Sequence, residues 1–187
     1  MNTQILNQTR SSLYAAGKLT LTTAGFLLIS ACFAARAQDH DNRAPDVPAS
    51  LQTPEGNKVC FHTYAVGVQI YAWNGSSWVF QAPEAVLFAD AGHHGEVAIH
   101  YAGPTWESDS GSTVVGAKVA GVTVDPTAIP WLLLRAVSND GSGVFADVTF
   151  IQRVNTSGGL APASAGTSTG EIARVPYSAE YYFYRAD

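Results

Sequence analysis

Cysteine, methionine and charge are all scarce in this chain: among 187 residues there are two Cys, one Met and only 13% charged side chains. Two cysteines, Cys32 and Cys60, leave no framework of disulfides, so stability has to come from a hydrophobic core. Basic residues are few as well. Ten Lys and Arg stand against fifteen Asp and Glu, and nucleic acid, which is held through phosphate contacts from a basic surface, is an unsuitable partner. The apolar stretch of the N-terminal region, Ala24 to Ala35, is twelve residues. A membrane-spanning helix needs roughly 18 or more. Nor does the sequence offer a ten-residue amphipathic helical pattern, a heptad run or an internal repeat.

What is present begins with an export pattern. Arg10 and Lys18 form a basic region without acidic neighbours, and the apolar stretch Ala24 to Ala35 follows it. Two processing chemistries fit the end of this signal. Ala35-Arg36-Ala37 before Gln38 is a small-x-small cleavage site, which makes residues 1–37 a signal peptide and the product a free exported domain, periplasmic or secreted. Ile29-Ser30-Ala31-Cys32 instead resembles a lipobox, which leaves a lipid-bearing Cys32 and a membrane-tethered protein. Cleavage after Ala37 removes three of the ten cations and none of the fifteen acids, so the mature charge is 7 − 15 = −8. An acidic product of this kind has no charge-driven affinity for anionic lipid, and membrane association is expected only through Cys32.

Residues 38–57 are rich in Asp, Pro, Ala and Ser with little apolar periodicity and read as a flexible leader. The domain is expected over 58–187. Val66 to Trp73 is β-branched and aromatic, Asn74-Gly75 is a strong hairpin signal, and Trp78-Val79-Phe80 returns. Glu96 to Tyr101, Ser112 to Val115, Trp131 to Val137, Val144 to Arg153 and Glu180 to Tyr184 are further strand candidates. Pro83 to Phe88 alone suggests a short helical turn. Many short strands between Gly, Pro, Asn and Asp clusters predict an all-β domain, an antiparallel β-sandwich or barrel. Asn155 to Gly170, small and polar, reads as a long surface loop. Cys60, in the alternating Lys58-Val59-Cys60-Phe61-His62, is expected to be an inert, buried thiol.

The densest chemistry lies between His93 and Glu107. Strand alternation from His94 puts His94, Glu96, Ala98 and His100 on one polar, solvated face and Val97, Ile99 and Tyr101 on the other. At about 3.3 Å per residue His94 and His100 are roughly 20 Å apart and cannot share an ion. His94 with Glu96 is the weak remaining metal candidate, with His62 or Asp90 as further ligands; no zinc spacing is present, and no cofactor is implied. Ser108 to Ser112 reads as a turn, with Asp109 capping backbone donors. Arg153 ends a strand and is expected to form an ion pair with an acid such as Glu107. No nucleophile elbow or zinc-protease helix occurs.

Gly67-Val68-Gln69-Ile70-Tyr71, Ala82-Pro83-Glu84-Ala85, His100 to Glu107, Ile129 to Leu134, Ile151 to Thr156 with Gly158-Gly159, and Val175 to Tyr181 follow one another in order. Together these blocks resemble the domain of unknown function family 3455, across nearly all of residues 58–187. The resemblance implies an exported β-rich protein without an established activity. It also implies, in many relatives, a Cys at the place of Trp73 and another near Gly166; both are absent here, which leaves the Asn155 to Gly170 loop less constrained. Within the blocks His100, Tyr101, Trp106, Glu107, Trp131 and Arg153 carry side chains able to bind or catalyse, and the alternative for Trp106 and Trp131 is a place in the core. Two functions are expected: a non-enzymatic domain that binds a small molecule, glycan or envelope protein through an aromatic-lined cleft, or a hydrolase-like enzyme using His100 and Glu107 as an acid/base pair.

Overall fold

The computed structural model describes residues 43–187. Eight antiparallel strands follow one another around a closed barrel in chain order, β1 (Asn57–Trp73), β2 (Trp78–Phe88), β3 (Glu96–Tyr101), β4 (Thr105–Ser108), β5 (Thr113–Val122), β6 (Trp131–Asp140), β7 (Val148–Gly158) and β8 (Ile172–Ala186). Of the two architectures expected, the barrel is the one adopted. β8 closes on β1 along almost its whole length, from Asn57↔Ala186 to Ala72↔Ile172. Closure removes the exposed edges that an open sheet of this composition would present.

The segment expected as a short helical turn, 83–88, lies inside β2 instead. Proline is tolerated there because β3 pairs with β2 only from Ala85↔His100 onward, so no β3 ladder reaches Pro83. The hairpin after Trp73 forms as expected: Asn74 Oδ1 accepts hydrogen bonds from the Ser76 and Ser77 amides, and Gly75 takes a φ of 98°. β4, by contrast, carries no β-branched run and escaped the sequence reading.

Inward-facing residues alternate along each strand and fill the lower barrel. Ala65, Leu87, Trp106, Val114, Phe145, Ile151, Tyr181 and Phe183 form one buried cluster, with Trp106 at its centre against Tyr181 and Phe183. A second cluster lies outside the wall, made by Val59, Val154, Tyr182 and Tyr184 with Val47, Trp131 and Phe150 packed on it. This explains why Tyr181 to Tyr184 are all buried in succession: the strand is covered on both faces.

The cover comes from residues read as a flexible leader. A single 3₁₀ turn, Ala49–Leu51, buries Leu51 completely. Gln152 Nε2 donates to the Leu51 carbonyl at 2.6 Å, and Tyr184 donates its hydroxyl to Gln152 Oε1 at 2.5 Å. The polar composition of the segment concealed two apolar anchors, Val47 and Leu51, that match an otherwise naked apolar wall. The expected signal peptide, the cleavage sites and Cys32 lie outside the described residues.

The 159–171 connection is similarly tied down. Trp78 Nε1 donates to the Ser164 carbonyl at 2.9 Å, and the Trp73 ring packs so closely on Gly166 that a Cβ there would sit 2.5 Å from Trp73 Cγ. Trp73 and Trp78 hold the loop that was expected to be less constrained. Cys60 is a free thiol in a bulge of β1, half-buried, with Sγ 3.4 Å from the Phe183 carbonyl. Burial pushes its pKa up, as expected of an unreactive thiol.

Candidate functional site

The β3–β4 hairpin is short, and this shapes the barrel mouth. Its turn, Ala102-Gly103-Pro104, stops at the level of Ala85 on β2 and Val115 on β5, while both flanking strands run on past it. The wall is therefore notched, and a cavity of about 300 Å³ lies behind the notch. Small-molecule sites begin at roughly this volume.

Aromatic and aliphatic groups make the walls, with Phe80, Pro83, Trp106, Leu132, Leu134 and Tyr181 among them. The polar lining is sparse and one-sided. Arg153 and Lys118 supply positive charge, Gln69 and Gln81 supply amides, and no Asp or Glu lines the space. Arg153 is half-buried and gives its Nε–H and an Nη2–H to the Pro130 carbonyl, at 3.2 and 2.9 Å. Its charge reaches inward-facing Tyr71, His100, Tyr177 and Tyr181, lowering the pKa of each, although burial outweighs it and raises the three tyrosines.

His100 is 3% exposed, stacked on Trp106 with ring centres 4.2 Å apart and planes at 8°. Its Nδ1 lies 2.8 Å from the Thr105 carbonyl, which only accepts, so Nδ1 carries the hydrogen and Nε2 the lone pair. Burial, more than the nearby Arg153 charge, lowers its pKa to about 3, and the ring is neutral at physiological pH. Among the described residues three buried side-chain groups have no partner at hydrogen-bond distance: Thr63 Oγ1, away from the cavity, and Gln69 Nε2 and Trp106 Nε1, on residues 2% and 1% exposed, of which Gln69 has only a looser contact with the Tyr177 hydroxyl. A buried donor left unmade is expensive, and both Gln69 and Trp106 line the cavity.

Of the six candidate residues, the fold brings His100, Trp106 and Arg153 to this cavity and sends Tyr101, Glu107 and Trp131 elsewhere. Tyr101 donates its hydroxyl to Glu107 Oε2 at 2.9 Å, part-buried and in register with Ile99 on the opposite side of the wall from His100 and Trp106. The expected acid/base pair of His100 and Glu107 is therefore not assembled, because strand alternation points the two side chains to opposite faces. The expected ion pair of Arg153 with Glu107 fails for the same reason, and among the described residues no carboxylate lies within ion-pair distance of Arg153. Trp131 packs on the outer cluster.

The polar face expected over His94, Glu96, Ala98 and His100 is also corrected. Ala98 and His100 point inward opposite Leu87 and Ala85, and a bulge between Leu87 and Phe88 throws Glu96 out to solvent. His94 lies in the preceding loop, where its ring pairs with Asp90 at 3.1 Å. His62 is tied to Glu180 at 2.8 Å and stacks on Tyr182. Among the described residues no three His, Cys, Asp or Glu side chains gather as metal ligands. The 108–112 turn is held by the Ser108, Ser110 and Ser112 hydroxyls, not by Asp109.

Gln69, Lys118 and Tyr181 were not singled out in the sequence. Gln69 had a usable signal: it is the polar exception in Val66 to Ile70 and shares its phase with Thr63, Ala65, Gly67 and Tyr71, the interior face of β1. The model of a protein family of unknown function, DUF3455, matches residues 54–185. The chain belongs to that family. The matched span of this DUF3455 protein contains every strand of the barrel, except the last residue of β8, and every residue that lines the cavity. No curated protein and no solved structure matches the chain.

Proposed function

We propose that this DUF3455 protein is an exported, non-enzymatic binding domain that takes a small molecule into the upper barrel through the notch above the β3–β4 turn. Export is supported by the Arg10, Lys18 and Ala24 to Ala35 pattern of the sequence. Binding is supported by one observation above the others: an apolar-walled cavity of about 300 Å³ lined by two buried side chains, Trp106, whose N–H has no protein partner, and Gln69, whose amide N–H has none at hydrogen-bond distance. Eight-stranded barrels of this kind have an interior just large enough for side chains alone or for side chains and one small ligand. Here the lower half is filled by Trp106, Phe145 and Phe183, and the upper half narrows to residues that leave space. Catalysis has less support, since the neutral His100 has no acid beside it.

Lys118 is exposed at the rim of the notch, in register with inward-facing Leu134, and points to a direct test. Lys118→Trp fills the entrance from a position that is not part of the buried core. Native mass spectrometry of protein purified from its own host should show a non-covalent mass excess that this variant lacks. If the excess is equal in both, whatever is bound lies outside the barrel and the reading fails.

A further inference from the structure

Resting on that reading, we infer that the ligand is an anion with an apolar body, its carboxylate or similar oxyanion head held at Arg153 and its body against Trp106, Tyr181, Leu132 and Leu134. Four observations converge. First, Arg153 sits half-buried in the barrel with no carboxylate within ion-pair distance among the described residues, in a protein whose net charge is negative. Arginine has five N–H donors in a planar fork; the Pro130 carbonyl engages Nε and Nη2, and the Tyr181 hydroxyl oxygen takes a further contact from the guanidinium, which still leaves N–H donors for a ligand. A partly desolvated guanidinium facing a cavity favours a planar, bidentate oxyanion over any neutral group.

Second, of the three buried groups without a partner at hydrogen-bond distance, the two that line the cavity are donors. Gln69 Nε2 and Trp106 Nε1 each offer hydrogen and line the same space. Third, Lys118 adds a second cation at the rim, and no acid lines the cavity to oppose an incoming negative charge. Electrostatic focusing at such a mouth raises the local concentration of anions. Fourth, the remaining wall is apolar and partly aromatic, so the head alone does not fill it. Inorganic anions such as phosphate would leave the Leu132, Leu134 and Phe80 surface uncovered. One feature fits a head with one protonated oxygen as well: His100 presents a lone pair on Nε2, the single acceptor on that ring.

The test uses isothermal titration calorimetry of the purified chain with 2-naphthoate and with 2-naphthamide, which share shape and apolar area and differ in charge. The carboxylate should bind roughly ten- to a hundred-fold more tightly than the amide, the range expected of a charge-assisted hydrogen bond. Arg153→Gln should abolish that preference, weakening the carboxylate far more than the amide, whose carbonyl also accepts from Arg153, and an unchanged far-UV circular dichroism spectrum reports that the variant is folded. Lys118→Gln, at an exposed rim position, should reduce the preference by less and make it less dependent on salt. Equal binding of the two probes by the unaltered chain overturns the anion assignment and leaves the cavity reading standing. No binding of either overturns both. A preference that survives in Arg153→Gln overturns the assignment of the head to Arg153.

Discussion

Replacing Leu51 by Ala tests whether the 43–56 segment is part of the fold or a tether laid beside it. Leu51 is completely buried within a three-residue 3₁₀ turn against the outer wall, and its carbonyl accepts from Gln152. Truncating a buried Leu to Ala costs about 2–5 kcal/mol, the spread reflecting how far the surroundings collapse. A strap on the outside of a barrel settles more easily than a strand within it, which places Leu51→Ala near the lower end, about 2–3 kcal/mol. For a domain of this size that lowers Tm by roughly 5–10 °C. Gln52→Ala, an exposed neighbour, supplies the control and should stay within about 0.5 kcal/mol. Equilibrium urea denaturation followed by Trp fluorescence and by far-UV circular dichroism gives both values. A Leu51→Ala midpoint indistinguishable from that of Gln52→Ala would refute the reasoning and return the segment to the status of a flexible leader.

Glu180 accepts hydrogen bonds from His62, Asn155 and Tyr182, and the His62 bond first among them holds its carboxyl below the usual Glu range. A depressed folded-state pKa gives stability that is present above the unfolded pKa and lost as pH falls through the folded one. The Tm difference between the unaltered chain and Glu180→Gln should therefore be largest near neutrality and shrink on acidification below about pH 4; a difference that grows with acid contradicts it. Gly67→Ala should destabilise by roughly 1–3 kcal/mol in chemical denaturation, because an added Cβ meets the Glu84 carbonyl and lies 2.5 Å from Ala85 Cα, whereas Gly116→Ala, which meets only side-chain atoms at 3.1 and 3.2 Å, should cost less. The reverse order would show that the β1–β2 approach is not rigid. Trp73→Cys with Gly166→Cys should oxidise to a disulfide, since a Cβ at 166 lies 2.8 Å from that of residue 73 and a loop shift below about 1 Å reaches the usual separation; an intact pair of thiols by mass after air oxidation rejects that adjacency.

Which parts of this fold were legible in the sequence follows from where each signal sits. β1 and the start of β2 announced themselves through Val66 to Trp73, the Asn74-Gly75 turn and Trp78 to Phe80, all local features. The helical expectation at 83–88 failed because Pro83 and Ala85 lack β propensity; the strand is set by pairing with residues 64–69, which lie far away in sequence. The unalternating runs Leu132-Leu133-Leu134 and Tyr181 to Tyr184 were read only as strand candidates, and nothing local says that Val47 and Leu51 supply cover for an outer face. Of the six residues named from the sequence, His100, Trp106 and Arg153 line the cavity. Their separation from Tyr101 and Glu107 required the register, since one strand position decides between the interior and the solvent. The face of His100 was misread because the bulge opposite Leu87 breaks the alternation that Glu96 had suggested.

The central claim is that the upper barrel, and no other part of the molecule, receives a ligand. Four tryptophans report on three environments: Trp106 inside the barrel, Trp131 on its outer wall, and Trp73 and Trp78 under the 159–171 loop. The most direct measurement is a ¹H–¹⁵N spectrum of the indole N–H groups during titration with 2-naphthoate. The account predicts a saturable shift of the Trp106 resonance, whose Nε1 has no protein partner, while the other three stay in place. A shift confined to Trp73 and Trp78, or to Trp131, would put the binding surface elsewhere and contradict it.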